Sequence, residues 1–81
     1  NKGYIMKLEA KVKITNSPIP EIIANDTIID VPVDMDYADD YDDIINDVEI
    51  WMYGEYGETF TNEVNFTIEN AQDICDDLFN T

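Results

Sequence analysis

From Tyr4 to Ile14 the even positions read Tyr4, Met6, Leu8, Ala10, Val12 and Ile14, and the odd ones Ile5, Lys7, Glu9, Lys11 and Lys13. A period of two predicts a strand over 4–14 with one buried and one wet face. Asn16-Ser17-Pro18-Ile19-Pro20 ends it, because neither proline can donate to a ladder. Pro20 suits the first position of a short helical turn over Glu21–Ala24. After an Asn25-Asp26 turn, Thr27–Val33 is rich in β-branched residues and reads as extended, with Pro32 confining it to a sheet edge. From about Asp36 the spacing becomes helical: Tyr37, Tyr41, Ile44, Ile45 and Val48 share one stripe, with Asp34 or Asp36 as the cap. Val48–Tyr53 is apolar on both faces and predicts a central strand over 48–53. Gly54-Glu55-Tyr56-Gly57 reads as a turn, and Phe60, Asn62, Val64, Phe66 and Ile68 alternate again, so 48–53 and 59–69 are expected to pair as a hairpin. Asn70 caps a closing helix over 70–79 with an apolar stripe of Ala71, Ile74, Cys75, Leu78 and Phe79. The expected fold class is α+β: one domain over 1–81, with a small antiparallel sheet of three to four strands and one or two helices on one face.

Charge changes this picture more than composition does. Nineteen Asp and Glu stand against four Lys, giving a net −15, and there is no Arg or His. All four lysines (Lys2, Lys7, Lys11, Lys13) precede Ile14. Nucleic acid and anionic membranes repel such a chain, so neither is an expected direct partner; basic surfaces and cations are. No run is apolar enough to span a membrane. Cys75 has no second cysteine to pair with, which suits a reducing compartment. Catalysis finds no footing: His and Arg are missing, Ser17 sits among turn residues, and Cys75 belongs to an apolar stripe. Neither an enzyme nor a cofactor is expected.

The densest acid lies in Asp34–Glu49, DMDYADDYDDIINDVE, with eight carboxylates in sixteen residues and no cation. On a helix, Asp36, Asp40, Asp43 and Asp47 lie along one side about 4.5–6 Å apart along the axis. In an extended segment, Asp30, Asp34 and Asp36 share a face at about 7 Å. Either spacing compares with phosphates on a DNA strand, so such carboxylates suit a groove lined with Lys and Arg. The expected partner-binding residues are Asp30, Asp34, Asp36, Asp39, Asp40, Asp42, Asp43, Asp47 and Glu49, with Tyr56 as an exposed aromatic anchor at the turn. Neutralising Asp39, Asp40 and Asp43 together is expected to abolish binding without unfolding the domain. A merely solvated acidic face is one competing reading. A cation-binding module is another: Asp34-x-Asp36 opens like a calcium loop, although its sixth position is Asp39 rather than Gly and its twelfth is Ile45 rather than Glu. The N-terminal lysines could also meet the acidic face of a second copy in a homodimer.

In size, net charge and the DMDYADDYDD run, the chain resembles the small acidic phage-encoded proteins that mimic DNA. These include anti-CRISPR proteins, anti-restriction proteins and uracil-DNA glycosylase inhibitors. The resemblance implies an inhibitor in the host cytoplasm that blocks the DNA channel of a host defence enzyme, and among these classes an anti-CRISPR protein directed at a CRISPR effector. An inhibitor of a restriction enzyme or a DNA glycosylase is the alternative within the same class.

Overall fold

The computed structural model describes residues 7–34 and 38–79, with 7, 8, 34, 78 and 79 described by their backbone alone. It contains β1 (Lys7–Asn16), β2 (Ile28–Asp34), α1 (Tyr41–Tyr56), α2 (Glu58–Glu63), β3 (Asn65–Ile68) and α3 (Ala71–Phe79). The strands form one antiparallel sheet in the order β2-β1-β3. This is an α+β fold, with three strands and three helices among the described residues.

The alternation in the first segment is used as the sequence implies, although residues 4–6 lie outside the described residues. Ala10, Val12 and Ile14 are fully buried, while Glu9 and Lys11 are exposed. The strand runs on to Asn16, with a register shift at Thr15 where β3 begins. Pro32 lies in β2, an edge strand, as its missing N–H requires. The connection over 17–27 is closed by local bonds. Asn25 Oδ1 accepts from Ser17 N at 2.8 Å, and Ile23 N donates to Ile19 O at 3.0 Å, giving a single turn that starts at Ile19, just before the short helical turn expected over Glu21–Ala24. Asp26 then takes a left-handed φ of 70°.

Three expectations are corrected. Residues 48–53 are not a strand but the second half of α1, and the central strand is β1. A run that is apolar on both faces fits a buried strand or a helix equally well. Here Ile44, Val48 and Met52, spaced by four, are all at 0% exposure, which is the helical solution. The turn at 54–57 is absent because α1 continues to Tyr56. The expected strand over 59–69 divides into α2 and the four residues of β3, so the hairpin does not exist. Gly57 makes the division. Its φ of 92° lies in the region glycine tolerates cheaply, and it ends α1 and precedes α2.

Both β2 and β3 are antiparallel to β1, so they run parallel to each other, and α1 and α2 form the crossover between them. One cluster of buried side chains fills the space between sheet and helices. It includes Val12 and Ile14 from β1, Val31 and Val33 from β2, Ile68 from β3, Ile44, Val48 and Met52 from α1, Phe60 from α2 and Ile74 from α3. The helices therefore occupy one face of the sheet, and the outward face of α1 is directed away from it.

Asn70 does something other than the expected capping. Its Oδ1 accepts from Lys11 N at 2.8 Å, and its Nδ2 donates to Glu9 O at 2.8 Å. Its side chain thus continues the β3 ladder along β1 after Glu69 N has bonded to Lys11 O at 2.7 Å.

Candidate partner-binding face

Helix α1 begins at Tyr41, about five residues later than the periodicity indicates, and its cap is Asp40 rather than Asp34 or Asp36. Asp40 Oδ1 accepts from Asp43 N at 3.1 Å, while Asp43 Oδ2 accepts from Asp39 N at 2.8 Å. These reciprocal bonds satisfy backbone donors at the helix start, and two carboxylates beside the positive helix end are favourable there. Part of the acidic run is therefore committed to folding. Changing Asp39, Asp40 and Asp43 together therefore bears on the start of α1 as well as on the acidic face. Asp40→Ala is expected to cost about 1 kcal/mol by loss of the cap. Asp40→Asn, which keeps an accepting oxygen, should cost less, and urea unfolding of the two variants measures the difference.

Beyond the first turn the acids have no such employment. At 100° per residue, Asp42, Asn46, Glu49 and Tyr53 form one outward row of α1, and Asp43, Asp47, Ile50 and Gly54 form the next. Asp42, Glu49, Ile50 and Tyr53 are exposed, and Asp43 and Asp47 are half-buried. Neither α1, α2 nor α3 carries a cation in its last turn, where cations favour the negative helix end. Asp73, Asp76 and Asp77 make α3 acidic as well, a contribution that the emphasis on 30–49 overlooked.

Lys11 and Lys13 lie on the other side of the sheet. Lys11 pairs with Asp30 at 2.8 Å across the outer face, and this hydrogen bond raises its pKa above the usual lysine value. Lys13 approaches Asp26 at 3.9 Å. Asp30 is thus engaged on the outer face of the sheet and does not join the α1 rows. Asp34 pairs by its backbone with Lys7, and Asp36 lies outside the described residues. The structure therefore brings together Asp42, Asp43, Asp47 and Glu49 along one helix, with Asp39 and Asp40 at its start.

Tyr56 is corrected too. It is half-buried between Trp51, at 6.1 Å and edge-on, and Phe60, at 4.8 Å. Among the described residues the exposed aromatic is Tyr53, at 55%, and beside it Ile50 is 63% exposed. Both were hidden in the run assigned to a central strand. Ile50, Tyr53, Glu49 and Thr61 of α2 line a shallow open depression of about 260 Å³ whose walls are almost wholly carbon. The Thr61 hydroxyl donates to Gly57 O at 2.9 Å, so its polar atom is already satisfied within the protein.

Tyr41, at the first turn, holds its proton more tightly than usual, chiefly through partial burial and secondarily through the charge of Cys75 on α3. Among the described residues, no three acid, cysteine or histidine side chains converge as metal ligands. The Asp34-x-Asp36 loop start falls partly outside those residues. No helix among them is long and apolar enough to cross a membrane.

Compared with known proteins, the chain matches no family model, no curated protein and no solved structure at a significant level.

Gly54 sits within α1 although a Cβ there meets nothing within 4 Å and no positive φ calls for glycine. Interior glycine weakens a helix, so Gly54→Ala is expected to stabilise the fold by about 0.5–1 kcal/mol, read as a higher urea midpoint at unchanged slope.

Proposed function

We propose that this protein is an inhibitor that presents the outward face of α1 as a substitute for a DNA backbone and occupies the basic nucleic-acid channel of a host defence enzyme, a CRISPR effector first among them. The observation that carries this reading is the cation-free helical layer. A surface helix normally intersperses lysines and places cations at its C-terminal end; α1 has acids in both outward rows and Glu55 in its last turn. The arrangement costs self-repulsion in the free protein, and that cost is relieved when a basic surface arrives.

Spacing supports the same conclusion. Over its length of about 24 Å, α1 carries a carboxylate roughly every 5 Å, against one phosphate per about 3.4 Å along a single DNA strand. The body measures 43 × 21 × 19 Å, slender enough to enter a channel built for a nucleic-acid duplex. The corresponding Lys and Arg of the enzyme are those that hold phosphates or read a PAM.

The test is capture from bacterial lysate on the immobilised protein, with identification of what is retained, repeated with competing DNA. Recovery of a nucleic-acid enzyme that free DNA displaces is the expected outcome. A partner whose retention is indifferent to DNA overturns the channel-plug mechanism.

A further inference from the structure

We infer that the depression between α1 and α2 is an anchoring site for a single bulky aliphatic side chain projecting from a lysine- or arginine-rich segment of the partner protein. This rests on the reading above and deepens it, because a DNA backbone has no group that could fill such a site. The depression is lined by Glu49, Ile50, Tyr53 and Thr61. Ile50 and Tyr53 are among the exposed large apolar side chains of the described residues; Ile50 lies about one turn beyond Asp47 and about two beyond Asp42 and Asp43, and Tyr53 about one turn further on, in the same outward rows of α1. An apolar pocket with Glu49 in its lining, on a helix that carries Asp42, Asp43 and Asp47 and no cation, matches an apolar knob flanked by cations, and it disfavours an acidic or purely apolar occupant.

Two further features agree. The Thr61 hydroxyl is turned to Gly57 O, so an apolar occupant strands no polar atom there. Gly54, in the same row as Ile50, leaves the helix backbone open to close approach where nothing in the fold needs that space.

The two parts of the face then have different tasks. Carboxylates set the rate of encounter and its salt dependence, while the anchor sets the rate of departure. Charge alone fits every basic DNA-binding protein in the cell. An anchor confines the inhibitor to enzymes that present a knob at the right distance from their phosphate-binding residues.

The probes are two short lysine-rich peptides, identical except for a central Leu or Ala, titrated into the isotopically labelled full chain and followed by NMR. The Leu peptide is expected to bind at least about tenfold tighter, from the apolar area it buries. Its shifts should centre on the amides of Ile50, Tyr53 and Thr61. In an Ile50→Ser, Tyr53→Ser variant, altered only at exposed positions, both peptides should bind like the Ala peptide. Equal affinities in the native protein overturn the anchor while leaving the charge-based channel plug standing. Binding by neither peptide at low salt sinks both. A concentration-dependent dimer in sedimentation that the double variant abolishes assigns the site to a second copy and overturns the basic partner.

Discussion

Changing Asp42 and Asp47 to Asn and Glu49 to Gln together is expected to weaken binding to the proposed basic partner by at least about tenfold while leaving the fold intact. Among the described residues none of these three carboxylates accepts a hydrogen bond, unlike Asp40 and Asp43. Asp42 and Glu49 are exposed and Asp47 half-buried, so the amides need no repacking. Removing like charges from one helix face returns a few tenths of a kcal/mol, which offsets the favourable position of Asp42 near the helix start. Binding responds differently. Each carboxylate facing a Lys or Arg in a water-poor channel should contribute roughly 0.5–2 kcal/mol, and the three together roughly 10-fold to over 1,000-fold in affinity. The loss should fall largely on the association rate at low salt and shrink as salt is added. Kinetics measured at two salt concentrations, with urea unfolding as the control, checks both halves. A triple variant that binds as tightly as the native protein would remove α1 from the interface.

Met52→Ala is expected to have the largest effect on stability. Met52 is fully buried in the cluster beneath α1. Truncating a buried side chain of that size costs about 2–5 kcal/mol, by lost transfer energy and by the cavity left behind. A domain of this length has roughly 4–12 kcal/mol in total. The variant should therefore melt roughly 10–30 °C lower, and a share of it should be unfolded at the upper end of the cost. Ile50→Ala, two residues away and 63% exposed, should be close to neutral. The contrast is informative because residues 50 and 52 would share a face in a strand, and both would then respond alike. Comparable losses of stability at the two positions would refute the helical assignment of this segment.

That segment shows where the sequence was legible and where it was not. Period-two alternation in β1, the edge position implied by Pro32 and the amphipathic stripe of α3 are properties of one segment against one core face, and they can be read locally. Val48–Tyr53 has a single charged position, Glu49, which fits either period and does not break the tie, so its conformation depends on which side chains the sheet will accept. The sheet accepts Ile44, Val48 and Met52. Likewise the alternation of Phe60, Asn62 and Val64 has no meaning once Gly57 starts a new helix and Phe60 is drawn into the core.

For the candidate site, composition alone determined its sign. A chain without a cation after Lys13 must present an acidic helical layer in any fold that places β1 in the sheet. Tertiary structure decided which acids share that layer and what accompanies them. Asp30 was drawn to Lys11 on the opposite face because β1 and β2 pair in that register, and Asp40 and Asp43 were taken up by the start of α1. Tyr56 was packed against Phe60 because the helix break at Gly57 brings α2 back onto the end of α1, and the same packing left Ile50 and Tyr53 in solvent. Charge is summed over residues and survives any arrangement of them. Juxtaposition depends on contacts between segments far apart in the chain, and only the packed core fixes those.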